Sequence, residues 1–349
     1  MKYSLNSLSV IIPTYNRPDK LFKTLKRLYP QIVDGVTVTV IDNCSISSCE
    51  AYCAKLDSKI EDYINKGKIK FIRNNYNIGV SANLMRTFEI CESEWMWLLA
   101  DDDDIAENAV SFIMNEINLM RNERSIAFIK FSSRGCEAQK GGSFIKSLNS
   151  MIGTLATSSV YFNSFIFTSN GVYRVPHFAS LIEIGYRSLY TYVPHLMMIL
   201  YYLDTHKDEN MIFLSDKQIV TYVIPEMGYS YGFVAGLGVG AFKNFTFNIP
   251  KEVYLKLEGV FAPHNDFKVA IDLFYYARFR SNMYVARRLF SNYYIQIKSA
   301  RNLIHIVMLK IFMLLFYVPD MFDRMIGILS HISPAIDRHI AEIKKRNHC

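Results

Sequence analysis

Short apolar runs alternate with helical patterns along the first third of the chain. Leu8–Ile12, Val36–Ile41, Lys68–Arg73 and Trp95–Ala100 have the length and composition of strands, and amphipathic helical patterns separate them. This order predicts an α/β fold whose mostly parallel, doubly wound sheet is flanked by helices. In such folds the ligand-binding loops follow the carboxyl ends of the strands.

The hydrophobic pattern is less regular beyond residue 121. Ile126–Phe131 and Phe165–Asn170 are typical of strands, and Pro194–Leu203 is typical of a helix. Gly228–Gly240 contains five glycines and predicts a loop. From residue 265 the pattern is helical almost to the end, so a helical C-terminal region is expected after the sheet.

Composition indicates a globular protein. Of the 349 residues, 50% are hydrophobic and 20% are charged, which argues against a disordered chain and a coiled coil. The six cysteines include no CxxC pair, and Cys44, Cys49 and Cys53 lack a nearby fourth ligand for a metal. The N-terminal MKYSLNSLSVIIP has no signal-peptide pattern, so reduced thiols and a cytoplasmic location are expected.

Positive charge is concentrated in the last 82 residues. This segment carries 13 lysines and arginines against five acids, whereas the whole chain has a net charge of +7. The distribution predicts an anionic partner for the C-terminal region. No recognised nucleic-acid-binding module is visible, so an anionic membrane surface is favoured over nucleic acid.

Leu303–Val318 is the strongest candidate for a membrane segment. It has 16 residues and contains His305 and Lys310, whereas a spanning helix needs about 20 apolar residues. Two interpretations stay open: a buried helix of a structural subdomain, or a helix lying in a membrane interface. Lys298, Arg301 and His305 fall on one helical face, which favours the interface.

Four consecutive aspartates, Asp101–Asp104, directly follow the apolar run Trp95–Ala100. Crowded carboxylates repel one another, and a divalent cation with a phosphate among its other ligands would relieve that repulsion. The alternative is a solvated acidic loop in which Asp104 caps the next helix. The sequence favours the metal and phosphate interpretation because the acids end a hydrophobic strand.

Polar residues also follow the other predicted strands. The first ends in Pro13-Thr14-Tyr15-Asn16-Arg17, the second in Asp42-Asn43-Cys44-Ser45, and Asn77 to Asn83 leads into a helix. Because these segments meet at one sheet edge beside a helix N-terminus, they predict a nucleotide site.

These motifs resemble those of the inverting family 2 glycosyltransferases of bacterial surface-polysaccharide type, which have the GT-A fold. The resemblance lies in SVIIPTYNRPDKL, VIDNCS, NYNIGVSANLMR and WMWLLADDDDI, in this order, over residues 8–115. It implies transfer of a sugar from a nucleoside diphosphate donor, with a UDP-sugar favoured, and Mn2+ or Mg2+ as the cofactor. The QxxRW motif of processive synthases is absent, which indicates one sugar for each turnover.

The resemblance also assigns roles to residues. Pro13, Tyr15, Arg17 and Asp42 would hold the base and ribose, Asp101 would contact ribose or metal, and Asp103 would bind the metal. The full predicted nucleotide-sugar site is Pro13, Tyr15, Arg17, Asp42, Asn77, Asn83, Asp101 and Asp102. Where the family usually has two acids after its second strand, this chain has Asp42-Asn43.

The catalytic base is expected on the acceptor side, where the family's acidic motif has no clean copy. Glu183 and His195 are the candidates. His195 stands where related transferases place an acidic pair, although it could simply line its helix. Glu183 could instead pair with Arg187 at i+4.

The sequence thus predicts a peripheral membrane glycosyltransferase on the inner face of the cytoplasmic membrane, with a glycan or lipid-linked glycan of O-antigen or capsule type as acceptor. A non-catalytic nucleotide-sugar-binding or scaffold subunit is the alternative. A sugar-1-phosphate nucleotidyltransferase lacks support, because its glycine-rich, arginine-containing first loop is missing. The expected regions are a donor half at 1–120, an acceptor half at 121–264 and a membrane-associating region at 265–349.

Overall fold

The structure is a computed structural model. It describes residues 4–133, 136–157, 159–189, 193–205, 211–221, 270–271, 273–275, 287, 290–291, 294 and 303–347. The glycine-rich loop predicted at Gly228–Gly240 and the cationic positions Lys298 and Arg301 lie outside these residues.

One eight-stranded sheet organises the N-terminal part of the chain. Its order is β3-β2-β1-β4-β8-β6-β9-β7, and β5 pairs with β10 in a separate two-stranded sheet. The strands are β1 (Ser4–Thr14), β2 (Val36–Asp42), β3 (Ile69–Arg73), β4 (Ser93–Leu98), β5 (Asp104–Ile105), β6 (Ile126–Phe131), β7 (Ser143–Ile145), β8 (Gly171–Arg174), β9 (Met211–Ser215) and β10 (Val220–Thr221).

The first four strands of the sheet are parallel, and the second half is mixed. β1 runs parallel to β2 and β4, and β2 runs parallel to β3. β8 is antiparallel to both β4 and β6, whereas β6 and β9 are parallel. The predicted mostly parallel α/β sheet is confirmed.

Helices cover both faces of the sheet and continue into the C-terminal part. They are α1 (Pro18–Leu28), α2 (Cys49–Leu56), α3 (Ser58–Asn65), α4 (Val80–Ile90), α5 (Ala109–Leu119), α6 (Leu148–Leu155), α7 (Ser159–Ile166), α8 (Ile182–Arg187), α9 (Pro194–Thr205), α10 (Leu303–Leu315), α11 (Pro319–Ile332) and α12 (Pro334–Asn347).

Strand β1 shows how the apolar pattern builds the core. Leu8, Val10 and Ile12 point into one cluster, which they share with buried residues of α1, α2, α3 and α5. Ile11 is buried as well but outside this cluster, as expected when successive side chains alternate between two covered faces. Burial on both faces explains why this strand is an uninterrupted apolar run rather than an alternating one.

The strand predicted at Phe165–Asn170 is wrong. Phe165 lies in the last turn of α7, a short 3-10 helix covers Thr168–Asn170, and the strand β8 begins only at Gly171. A Cβ atom at Gly171 would lie 2.5 Å from the Phe128 ring, so a glycine is needed where β8 enters the sheet. Apolar composition alone could not distinguish this helix end from a strand.

The chain divides into two compact units, Met1–Val223 and Ile224–Cys349. In the second unit, the rings of Phe274, Phe316 and Phe322 contact one another and are buried. None of the helices within the described residues is long and apolar enough to span a membrane. The three regions expected from the sequence stay predictions.

Candidate active site

The carboxyl ends of β1, β2 and β4 bring the first polar segments together. Thr14 lies opposite Asp42 in the β1–β2 register, and its backbone oxygen accepts a 2.9 Å hydrogen bond from the backbone nitrogen of Asn43. The Thr14 hydroxyl donates to Asp101 Oδ2 at 2.6 Å. Segments that are far apart in sequence therefore meet at one sheet edge, as the strand order predicted.

Arg17, directly before helix α1, and Lys20 in its first turn supply positive charge to two of the four aspartates. Arg17 Nη2 lies 2.6 Å from Asp101 Oδ1, and its Nη1 lies 2.9 Å from Asp102 Oδ2. Lys20 Nζ is 3.0 Å from the same Asp102 oxygen. The counter-charge that the aspartate run requires comes here from the start of a helix that follows the first strand.

The other two aspartates have different partners. Asp104 forms an ion pair with Arg27 at the end of α1. Asp103 accepts a hydrogen bond from the Ser169 hydroxyl, and no ion pair in the described part of the chain includes it. Asp103 is thus the member of the run whose charge is least compensated.

Burial changes the acidity of two of these carboxyl groups. It raises the pKa of Asp101 to about 6, although Arg17 and Thr14 act in the opposite direction. It also raises the pKa of Asp103 to about 6, and the hydrogen bond from Ser169 offsets only part of that effect. A nearby cation would restore the acidity of both groups, so the pair is suited to receiving one.

Another ion pair links the carboxyl ends of β2 and β3, beside the end of β1. Arg73 lies opposite Asp42 in the strand register, and its Nη1 is 3.1 Å from Asp42 Oδ2. Arg73 also donates to the backbone oxygen of Ser45, while the Ser45 backbone nitrogen donates to Asp42 Oδ1 at 2.8 Å. The predicted ribose-binding aspartate is therefore buried, but it has a cation and a backbone amide beside it.

Four asparagine side chains form a network behind this ion pair. Asn74 Nδ2 donates at 2.9 Å to the side-chain oxygens of both Asn43 and Asn83. Asn43 Nδ2 donates to Asn77 Oδ1 at 2.8 Å, and Asn77 Oδ1 also accepts from the backbone nitrogen of Gly79. Gly79, with φ at +84°, precedes the first turn of α4. The predicted residues Asn77 and Asn83 thus belong to one network that fixes this helix N-terminus.

The loops after β1 and β2 hold each other. The backbone nitrogen of Asn16 donates to Ser45 Oγ, and the backbone nitrogen of Ile46 donates to Asn16 Oδ1, both at 2.8 Å. Asn16 and Cys44 adopt positive φ angles of 53° and 66°, a region that few residues other than glycine occupy. Tyr15 is exposed beside them and Pro13 is partly buried, so Tyr15 is available to a ligand.

The two candidate bases have contrasting surroundings. The Glu183 side chain is 71% exposed, and its Oε1 lies 2.7 Å from Arg187 Nη2, as the i+4 spacing allowed. His195 is 1% exposed, and neither of its ring nitrogens has a hydrogen-bond partner among the residues that the structure describes. Burial lowers the pKa of His195 to about 4, although the backbone of Phe165 and Ile166 acts in the opposite direction.

The carboxylates fit a divalent ion that shares its ligands with a phosphate. Within the described ranges, no group of three or more His, Cys, Asp or Glu side chains is arranged to hold a metal. Asp101 and Asp103 supply hard carboxylate oxygens, and Mg2+ is usually bound by one or two carboxylates together with substrate phosphates and water. The residues therefore fit an ion that arrives with a diphosphate better than one that the protein holds alone.

Lys130 marks a different environment in the second half of the sheet. It lies on β6 and is fully buried; its Nζ donates to the backbone oxygen of Phe131 at 2.6 Å and lies 5.6 Å from the centre of the Phe165 ring. Burial lowers its pKa to about 7. The lysine borders a small pocket that Cys136, Ser164 and other residues also line.

Sequence analysis missed several groups at the site. Arg73 could have been found, because it ends the third predicted strand just as Asp42 ends the second. Lys20 and Arg27 look like ordinary solvated residues of an amphipathic helix until the tertiary structure brings them to the aspartates. Ser169 was hidden by the wrong strand assignment at residues 165–170.

Comparison with known proteins identifies the domain that contains this site. Residues 9–161 match the family model described as Glycosyl transferase family 2. This segment is similar to family 2 glycosyltransferases. The matched segment includes β1 to β4 and all four aspartates, so the resemblance stated from the motifs is confirmed.

Two known proteins are similar to this chain. Over 111 residues it is 30% identical to the GalNAc(5)-diNAcBac-PP-undecaprenol beta-1,3-glucosyltransferase of Campylobacter jejuni subsp. jejuni serotype O:2; the match covers 32% of this chain and 34% of the relative. Only about a third of that relative's length is therefore matched. The crystal structure of S. aureus TarS 1-349 in complex with UDP-GlcNAc is 16% identical, with a TM-score of 0.50, over 84% of this chain and 82% of the other. This similarity supports the GT-A fold.

Proposed function

We propose that this protein transfers one sugar from a nucleoside diphosphate sugar, preferably a UDP-sugar, to a hydroxyl group of a glycan or lipid-linked glycan. The observation that carries the proposal is the buried carboxylate of Asp101 and the partly buried carboxylate of Asp103, which follow β4 within the segment that matches the family 2 model. The Thr14 hydroxyl at the end of β1 contacts Asp101. The undecaprenol-linked substrate in the relative's name supports a lipid-linked acceptor.

In this proposal the strand ends hold the donor. Tyr15 and Asp42 contact the base and ribose, and Arg17 turns from Asp101 and Asp102 toward the diphosphate. Asn77 and Asn83 keep the N-terminus of α4 in place, where helix N–H groups favour an anion. The Arg17 guanidinium is thus paired with carboxylates before the donor binds and with phosphate afterwards.

Mn2+ or Mg2+, bound through Asp103 and Asp101, would neutralise the charge that develops on the leaving diphosphate. The rest of the proposed mechanism belongs to the chain's own residues. A base removes the proton of the acceptor hydroxyl, and that oxygen attacks the anomeric carbon from the side opposite the diphosphate, which inverts its configuration. The departing diphosphate remains beside Arg17 and Lys20.

We propose that the base belongs to the segment that contains Glu183 and His195. Burial lowers the pKa of His195 to about 4, so its ring is a weaker base than an exposed imidazole. Exposure also separates the two candidates, because Glu183 is exposed to solvent whereas His195 is buried in α9. Glu183 is therefore the preferred base, and His195 requires a movement of its surroundings to meet an acceptor.

The proposed location is the inner face of the cytoplasmic membrane, where a lipid-linked acceptor and a soluble nucleotide donor meet. The last 82 residues contain 13 lysines and arginines and five acids, and this net positive charge supports attachment to anionic lipid. The alternative is a subunit that binds the donor without transferring it. It is favoured only by the enclosed position of His195, where related transferases place an acid.

A panel of nucleotides tests the donor site directly. The melting temperature of the wild type is measured with UDP, GDP, dTDP and CMP, each with and without Mn2+, and the measurement is repeated on Asp103→Ala. We expect a metal-dependent increase with UDP that the variant loses. Asp34→Ala, which removes an exposed aspartate far along the chain from the motif, is the matched control and should keep the increase. Absence of any increase would contradict the donor proposal.

Slow hydrolysis of the donor without acceptor separates the two functions. A transferase with a bound UDP-sugar should release free sugar slowly, because water can replace the acceptor hydroxyl. A subunit that only binds the donor should release none, even when its melting temperature rises with UDP and Mn2+.

A further inference from the structure

Helix α10 has an apolar face that remains exposed in the described part of the chain. Its exposed apolar residues are Leu303, Ile304, Val307, Ile311 and Leu314. At 100° per residue, these five positions lie within an arc of about 100°. They form a continuous strip along the helix. Apolar residues scattered singly over a surface are common, whereas a continuous apolar strip indicates a binding surface.

The opposite side of α10 holds this strip in place. Leu309 and Phe312 are buried, and so is Phe316 directly after the helix. Phe316 stacks on Phe290 at 5.0 Å and contacts Phe322 at 5.3 Å between ring centres. Because the helix is anchored by a packed aromatic cluster, its exposed strip faces away from the interior of this unit.

The end of the strip has chemistry that suits a membrane interface. Tyr317 and Val318 are exposed where α10 ends, and the Arg287 guanidinium lies 4.5 Å from the centre of the Tyr317 ring. Lys310 is exposed at the border of the apolar arc. Tyrosine, arginine and lysine at the edge of an apolar surface are typical of helices that lie between lipid headgroups and acyl chains.

Charge distinguishes between the partners that such a strip could meet. Two copies of the chain facing each other here would bring together two segments that each carry a net charge of +8, and their repulsion opposes a homodimer. The same charge attracts an anionic lipid surface at about 1 kcal/mol for each basic residue near it.

We propose that the strip formed by Leu303, Ile304, Val307, Ile311 and Leu314 inserts into the interface of a bilayer that contains anionic lipid. The neighbouring basic side chains then contact lipid phosphates, and α10 lies in the plane of the membrane without crossing it. The proposal deepens the function above, because it names the surface that brings the enzyme to a lipid-linked acceptor.

Vesicle binding by the full chain tests this assignment with a matched pair of variants. Leu303→Glu/Leu314→Glu places two acids on the strip, while Leu119→Glu changes a leucine of α5 with nearly the same exposure, 73% against 74% for Leu303. The vesicles are phosphatidylcholine alone or phosphatidylcholine with one third phosphatidylglycerol. We expect wild type and Leu119→Glu to bind the anionic vesicles alike, and the double variant to bind at least tenfold more weakly.

Insertion itself has a separate signature. Both native tryptophans, Trp95 and Trp97, are buried in β4, so Leu314→Trp adds a reporter at the strip. Its emission should shift to the blue with anionic vesicles, and lipids brominated on the acyl chain should quench it. A red, unquenched emission from bound protein would overturn insertion.

The remaining outcomes are decisive as well. Equal binding by the double variant and wild type, or no binding by wild type, would overturn the proposal. A wild-type dimer that dissociates in the double variant, with vesicle binding unchanged, would assign the strip to self-association instead. Donor hydrolysis in solution keeps the two proposals apart, because neither substitution lies at the donor site and hydrolysis should persist when only membrane binding is lost.

Discussion

The two halves of the sheet differ in how their titratable side chains are paired and buried. At the ends of β1 to β4, carboxylates are matched by cations: Arg17 lies beside Asp101 and Asp102, and Arg73 lies beside Asp42. In the second half, Lys130 and His195 are buried, and no ion pair among the described residues includes either of them. Burial lowers the pKa of each, which favours the neutral form. The first half thus pairs opposite charges at its strand ends, whereas Lys130 and His195 lie in surroundings that favour their neutral forms. Elsewhere in the second half, Arg174 of β8 forms a buried ion pair with Glu94 of β4.

The difference indicates where a charged substrate can be accommodated. An anion at the ends of β1 to β4 would meet Arg17, whose guanidinium already pairs with Asp101 and Asp102. For an anion to pair with Lys130, the amine would have to take up a proton from solvent and the anion would have to lose its own hydration. We therefore expect the donor diphosphate of the proposed function at the ends of β1 to β4.

The largest effect is expected from Asp103→Asn. The substitution keeps the shape of the side chain and its contact with Ser169, but it removes the charge that lacks an ionic partner. Transfer should fall about a thousandfold in kcat/KM, because stabilisation of the leaving group by a metal is worth several kcal/mol. Steady-state kinetics with Mn2+ measures this change, with Asp34→Asn as the control. A loss below tenfold would contradict the metal role of Asp103.

Substitution of the candidate bases should produce the next largest effect. Glu183→Gln is expected to lower kcat by about a hundredfold while donor affinity is unchanged, because only proton removal is affected. His195→Asn should lower the melting temperature, since it alters an enclosed side chain, and should lower kcat less. The kcat of sugar transfer and the melting temperature are measured for both variants. A selective loss of kcat in His195→Asn, with an unchanged melting temperature, would move the base to His195.

A smaller effect is expected from Arg73→Leu. The variant leaves the buried Asp42 without its cationic partner, so donor affinity should weaken by about tenfold. Isothermal titration with UDP and Mn2+ measures the dissociation constant. Lys66→Met, which removes a surface ion pair with Asp62, is the control. An unchanged dissociation constant in Arg73→Leu would show that the Asp42–Arg73 ion pair at the ends of β2 and β3 does not contribute to donor binding.

The smallest effect concerns Lys130 and depends on pH. Its folded-state pKa of about 7 lies below the ordinary value of 10.5, so between these values the unfolded chain binds more protons than the folded chain. The free energy of unfolding should therefore rise with pH in this window, by at most about 1.4 kcal/mol for each pH unit. Urea unfolding of wild type and Lys130→Met at pH 7, 8 and 9 measures the difference. Parallel pH dependence of the two proteins would contradict a buried neutral amine.

The first half of the molecule could largely be predicted from the sequence. Its strands are continuous apolar runs, and each is followed at once by the polar residues that form the site, so Asp42 and Asp101 were found from local pattern alone. The second half could not be predicted in the same way. Apolar residues fill both its helices and its strands, which is why Phe165–Asn170 was assigned to the wrong element.

The sequence by itself determined the α/β sheet, the family 2 motifs and the basic character of the last 82 residues. Each of these depends on neighbouring residues, whose composition and spacing are visible along the chain. Only the tertiary structure decided that Arg17, Lys20 and Arg27 pair with three of the four aspartates, that His195 is buried, and that α10 leaves one apolar face exposed. Pairing and burial depend on residues distant in sequence, and composition does not specify which of them meet.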